Sequence, residues 1–260
     1  MPTPHPRNRN FEWRPSRPPY DRLTADQAAG YDRDGYFLLR NAFTATEVDA
    51  VAAAIAPFEA EAEEELRRVG GRIMIARADE ITFTIHLVTR SPVLKAFSRH
   101  AVFAGVCRDT LGPGARLYWD QAVYKKPGSP EEFPWHQDNG YTFIEPQQYL
   151  TCWVALTDAT LENGCPWVAP GLHRGGTLVH EVTPLGLKCL SDAPDAVAVP
   201  ARKGDVVVFS SLTPHRTGPN LTGETRKAYI LQYAPDGVRA YPRGAAQGVP
   251  QTDPDRQYFV

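Results

Sequence analysis

From Arg116 onward the chain is written in short β-branched and aromatic runs separated by Gly, Pro and Asn turns. Few architectures accept that pattern, because each run is too short for a helix and each break supplies turn chemistry. The runs predict strands at 117–125, 134–138, 149–156, 165–168, 178–182, 205–210, 214–217 and 226–233. With 24 prolines and 20 glycines in 260 residues, the breaks are frequent enough to hold every strand short. Many short strands of this kind suit a double-sheet jelly roll. The expected fold class is mainly β with flanking α-helices: a double-stranded β-helix of cupin-like form.

The residues before this region read as mainly helical. Thr44-Ala45-Thr46-Glu47 is a capping box, and Val48, Val51, Ile55 and Phe58 follow at spacings of three and four. Pro57 lies inside that run and is expected to kink or split the helix. Ile81 to Ile85 alternates like a strand. Ser91-Pro92 opens a further helix carrying Leu94, Phe97, Val102 and Val106 and ending near Gly112-Pro113-Gly114. The length fits a single domain over residues 21–260 with this helical elaboration. Residues 1–20, rich in Pro and Arg, are expected to form a poorly ordered arm that packs late onto the domain.

Charge narrows the function classes. A net charge of -2 and a pI near 6.4 argue against a nucleic-acid or anionic-membrane partner. No apolar run is long enough for a transmembrane helix, and the first twenty residues lack the apolar core of a secretory signal. The four cysteines (107, 152, 165, 189) form no CxxC pair. They read as reduced thiols of a cytoplasmic protein. The partner expected is a small-molecule substrate; oligomeric state is left open.

The chemistry concentrates in Trp135-His136-Gln137-Asp138, with His215 and Arg226 downstream. On a strand, His136 and Asp138 share a face. A distal His215 can close a three-ligand face on a metal. Two His and one carboxylate with open positions form the usual cage for a non-haem Fe(II) that activates O2. Arg226 can hold the far carboxylate of 2-oxoglutarate by a bidentate pair. The other histidines carry weaker signals; His173 and His180 lie near enough in sequence to reach the site, and His86 reads as core or surface.

These segments resemble the phytanoyl-CoA dioxygenase family of Fe(II)/2-oxoglutarate oxygenases. The match runs from about Tyr118 to Pro235. It rests on Tyr118-Trp119-Asp120-Gln121, Lys125-Lys126-Pro127-Gly128, Trp135 to Tyr141, Thr151 to Leu156, Glu162-Asn163-Gly164-Cys165, Pro170-Gly171-Leu172-His173-Arg174, Gly204-Asp205, His215 to Asn220, and Arg226. The resemblance implies iron held by His136, Asp138 and His215, with Arg226 on the 5-carboxylate of 2-oxoglutarate. It also implies that Gln121, Thr151, Trp153 and Thr217 line the cosubstrate pocket. One departure is Leu172, where the family has Ser in a Pro-Gly-Ser-His turn. Asp138 retains the carboxylate that halogenating relatives lack, which favours oxygenation.

The implied activity uses Fe(II), 2-oxoglutarate and O2 to hydroxylate a C–H bond of a metabolite, releasing succinate and CO2. Phe83, Trp135, Asn139, Tyr141 and Phe143 are the candidate substrate residues, forming an aromatic-lined mouth. Residue spacing leaves acyl-CoA substrates, desaturation, epoxidation and ring closure open. Zn(II) hydrolases or isomerases on a cupin barrel also use two His and a carboxylate, and a non-catalytic binding barrel is a further alternative.

Overall fold

The computed structural model describes residues 2–260. Two sheets face one another. The larger has eight strands, in the order Tyr36–Leu39, Val206–Ser210, Leu150–Ala155, Arg226–Pro235, Ala115–Lys125, Ile81–Ile85, Ala76–Arg77 and Arg72–Ile73. The smaller has four, in the order Val197–Ala198, Pro166–Val168, His215–Thr217 and Phe133–His136. This is the jelly roll expected from the run-and-turn pattern, with helices on one side.

Strand periodicity builds two cores from one sheet. The Leu150–Ala155 strand is buried along its whole length. Cys152 and Val154 face the helices, while Trp153 and Ala155 face the smaller sheet. On the outer side, α2 (Ala45–Arg68), α3 (Pro92–Phe97) and α4 (Ala101–Leu111) contribute Val51, Ile55, Leu94, Phe97, Phe103 and Val106 to the core shared with Leu117, Tyr124, Tyr229 and Tyr233. The interior between the sheets holds Trp153, Val168, Val207, Phe209 and Ala228.

Registers set which residues stand side by side inside. Gln121, Ile230, Trp153 and Val207 form one row across four strands; Trp119, Gln232, Thr151 and Phe209 form the next. Lys125 sits directly opposite Arg226 at the end of this face. A register shift between Gln232 and Tyr233 skips Tyr118, so Leu117 returns to the helical side.

Several helical expectations change. α2 runs through Pro57 without splitting. The single helix expected from Pro92 to Gly112 is instead two, α3 and α4. Ser98 ends the first, its hydroxyl bonded to Lys95 O and to Tyr258, and His100 caps the second through Val102 N. The strand expected at 178–182 is Glu181–Thr183, with Leu178 reduced to an isolated bridge with Pro4. An additional helix, α1 (Ala25–Asp34), begins at a Thr24–Gln27 capping box.

The described residues of the arm expected to be poorly ordered form no helix or strand but make defined contacts. Val179 N donates to Thr3 O and His5 N to Thr177 O, both at 2.8 Å. Trp13 packs on Tyr31 and His173. The arm joins the domain at Asp109, a buried carboxylate of α4 that accepts from the backbone N–H groups of Asp21, Arg22 and Leu23 at 2.7–2.8 Å. Replacing Asp109 with alanine leaves those donors without their acceptor, and is expected to lower stability by about 3 kcal/mol, read as a fall in Tm by circular dichroism.

Candidate metal centre

His136 ends its strand directly opposite His215 on the neighbouring one. Their ring centroids are 4.1 Å apart. Asp138 begins the short turn Asp138–Gly140 that follows, and its Oδ1 lies 4.0 Å from His136 Nε2 and 3.8 Å from His215 Nε2. Ligand atoms of all three fall within 4.8 Å of one another.

Backbone carbonyls set the direction of both imidazoles. His136 Nδ1–H donates to Pro134 O at 2.8 Å, and His215 Nδ1–H donates to Thr213 O at 3.0 Å. The lone pair is thereby left on Nε2 in each ring, aimed at the cluster. Burial keeps both rings neutral, holding His136 down to about 3, with His215 beside it adding to the effect, and His215 down to about 4. Burial raises Asp138, while His136, Thr151 and Gln232 pull it back down. Thr151 Oγ1 donates to Asp138 Oδ2 at 2.5 Å. Three acceptors thus converge with no protein donor between them among the described residues. Such an arrangement fits a divalent cation and is costly without one.

A second unbalanced feature lies on the same interior face. Arg226 and Lys125 are each 1% exposed and directly opposite, yet neither forms an ion pair among the described residues. Arg226 Nε and Nη2 have no hydrogen-bond partner. Lys125 Nζ donates to Gly218 O at 2.5 Å and to Glu131 O at 3.2 Å, with Thr217 Oγ1 at 3.4 Å. Burial, then the Arg226 charge, pulls Lys125 down to about 7; burial pulls Arg226 down to about 10. Two buried cations side by side repel unless an anion joins them. The donor set fits a carboxylate. The Arg226 guanidinium also lies over the Trp153 ring, 5.3 Å from its centroid.

The sequence candidates distribute unevenly around this centre. Gln121, Thr151 and Trp153 share the interior face, and Thr217 stands beside Lys125. Tyr141 sets its ring edge-on to His136 at 5.5 Å. Phe83 joins through Phe133, which lies 5.9 Å from it and 4.9 Å from His136. Trp135, Asn139 and Phe143 are not brought to the centre by any contact. Trp135 is buried on the opposite face of its strand, beside Arg216 and Trp167, and lines a groove of about 360 Å³. Asn139 is a buried brace between Ile144 and Thr177. Phe143 stacks on His5 of the arm. His173 is buried under Trp13, and His86 packs on Trp119 and Arg256.

Lys125, Gln232 and Phe133 had no assigned role in the sequence. For Lys125 and Gln232 strand parity was the available signal, since they lie an even number of residues from Gln121 and Arg226. Phe133 gave none. A bulge sets three steps, Phe133 to His136, against two, Thr217 to His215, and this extra residue turns Phe133 toward the His136 ring. Above it, a Cβ on Gly186 would meet Tyr141 Oη at 2.6 Å and Phe133 Cζ at 3.2 Å. The hairpin of Glu181–Thr183 and Gly186–Lys188 therefore rests on both rings.

Comparison with known proteins agrees with this geometry. The family profile described as phytanoyl-CoA dioxygenase (PhyH) matches residues 31–228. A methylphosphonate hydroxylase of Gimesia maris is 36% identical over 124 residues, 47% of this chain and 46% of that enzyme, so this match spans less than half of its length. An ectoine dioxygenase of Bordetella parapertussis is 28% identical over 82% of this chain and 76% of its own. Among solved structures, EctD from S. alaskensis with 2-oxoglutarate and 5-hydroxyectoine superposes with a TM-score of 0.72 at 25% identity, covering 96% of this chain and 91% of that one.

Thr151→Val removes one of the donors that favour the carboxylate form of Asp138. Affinity for a divalent metal, titrated with Co(II) in the absence of O2, is expected to fall about tenfold.

Proposed function

The chain belongs to the phytanoyl-CoA dioxygenase family of Fe(II)- and 2-oxoglutarate-dependent oxygenases, and from that premise we propose that it hydroxylates an unactivated C–H bond of a small, moderately apolar metabolite. The observation that carries this reading is the pairing of two incomplete clusters on one interior: an acceptor triad without a cation, and buried cations without an anion. A hydrolytic metal centre has use for the first but none for the second.

In this reading His136, Asp138 and His215 hold Fe(II). Arg226 and Lys125 take the 5-carboxylate of 2-oxoglutarate, Thr217 standing beside Lys125. Gln121 and Trp153 bound the space between the two ends. Fixing both ends of the keto acid prevents it from rotating out of register. When bound, Fe(II) with 2-oxoglutarate and O2 supplies the oxidising chemistry: one oxygen atom enters the substrate carbon, the other enters succinate, and CO2 leaves. Burial raises Asp138, and Thr151 and Gln232 work against that rise by favouring its carboxylate form. Phe83, Phe133 and Tyr141, covered by the 181–188 hairpin, offer an apolar mouth that excludes water and orients the substrate.

Two measurements test the reading. Protein loaded with Fe(II) anaerobically, then given 2-oxoglutarate, O2 and a panel of small apolar metabolites, is expected to form succinate; His136→Ala is expected to abolish it. Absence of succinate across the panel in the parent protein refutes the proposal. The second concerns pH. Burial and the Arg226 charge pull Lys125 down to about 7, and a neighbouring carboxylate opposes that shift. Binding of 2-oxoglutarate therefore takes up a proton above pH 7, so its KM is expected to climb with pH by up to about tenfold per unit. Lys125→Met is expected to raise KM at pH 7 and remove that slope.

A further inference from the structure

The segment 176–180 belongs to neither sheet, yet it grips the residue between two of the proposed metal ligands. Gln137 is fully buried. Its side chain points away from His136 and Asp138, as the middle residue of an extended triplet must. Its Nε2 donates to Gly176 O at 3.0 Å and to Leu212 O at 2.6 Å, and its Oε1 accepts from Leu178 N at 2.7 Å. Leu212 immediately precedes Thr213, the residue whose carbonyl orients His215. One side chain thus joins the segments bearing both histidines.

The backbone of Gln137 is held separately. Its N–H donates to His180 Nε2 at 2.9 Å, and His180 Nδ1–H donates to Leu178 O at 2.9 Å. Both ring nitrogens are committed, so the tautomer and the ring plane are fixed. That ring lies against the turn carrying Asp138. A Cβ on Gly140 would fall inside it. Gly140 has no positive φ to justify a glycine, so the need is steric. The close approach of His180 to the backbone on both sides of Asp138 lets the ring act as a template for the turn.

We propose that His180 is a positioning residue for the metal centre: it holds the 136–140 segment, through Gln137 N and the bare Cα of Gly140, in the conformation that aims His136 and Asp138 at one point. A core histidine would fill volume alone. Here the acceptor nitrogen and the glycine opposite make the contact specific. The proposal rests on the assignment of His136, Asp138 and His215 as metal ligands. The arm strengthens the same clamp from outside, since Thr3, Pro4 and His5 pair with the 177–179 backbone.

The test is anaerobic titration with Co(II) alone, followed by its visible absorption, with Tm measured alongside. His180→Ala is expected to weaken Co(II) binding about ten- to a hundredfold and to alter the absorption band. His180→Gln, which keeps an acceptor, is expected to recover part of the affinity and carries the comparison at matched stability. Gly140→Ala is expected to weaken Co(II) binding in the parent but to add little in the His180→Ala background, because the ring it would strike is gone. Affinity within twofold of the parent in both His180 variants overturns the proposal, as does a Gly140→Ala effect of equal size in both backgrounds. His136→Ala separates the two levels. Unchanged Co(II) binding there removes the ligand assignment and this proposal with it; loss there beside intact binding in the His180 variants removes this proposal alone.

Discussion

The cross-strand pairing of His136 with His215 is the constraint from which the rest of the site follows. Two neutral imidazoles, each with its Nδ1–H tied to a backbone carbonyl, are forced to present their lone pairs to the same space. Bringing two buried lone pairs together is unfavourable in itself. The pairing persists because the register of the small sheet is held by neighbours that bear no chemistry: Pro166–Val168 on one side, and the clamp from Gln137 to Leu212 behind. The bulge beside Pro134 belongs to the same constraint. It lets the strand that ends in His136 also deliver the Phe133 ring beside that imidazole, which a regular strand would send to the opposite face.

The large sheet solves a different problem. It must carry a greasy outer face against the helices and a partly polar inner face toward the site. Alternation does this without special devices, since Cys152 and Val154 go one way and Thr151 and Trp153 the other. The consequence is that Thr151 and Gln232, neighbours across two strands, stand together where Asp138 needs donors. The single-residue shift at Tyr118 confines this arrangement to the upper part of the sheet and lets its lower end close under the helices.

How much of this could be read in the sequence follows from where periodicity holds. That His136, Asp138 and His215 come together, with Arg226 on the same interior face, was legible because each sits at or beside a strand end with recognisable neighbours. Trp135 was misleading as an aromatic near the motif; parity with His136 already placed it on the other face, where Arg216 lies against it. Asn139 and Phe143 lie beyond the point where the strand stops, so alternation says nothing about them, and the turn at Asp138–Gly140 redirects both. The division of the expected 92–112 helix depends on Ser98 meeting Tyr258 from the far end of the chain. The bulge at Phe133 is defined by its partner strand. None of these contacts leaves a local mark. His180 is similar: its role depends on Gly140, forty positions away and unremarkable in isolation.

The two unbalanced clusters give a reason for the buried, unpaired guanidinium atoms of Arg226. A buried cation or lone pair without a partner costs the folded state, and ordinary cores remove such groups. Here the costs are of opposite sign and sit toward opposite ends of one interior face, Asp138 with Thr151 at one and Lys125 with Arg226 at the other. A ligand that bridges them must be anionic at one end and able to accompany a cation at the other. In the proposed reading, a keto acid chelated to a divalent metal would meet both conditions, and binding it would relieve both penalties together. Either partner alone relieves only one. In that reading the interior is an electrostatic mould, its acceptor end matched to the metal and its cationic end to the far carboxylate.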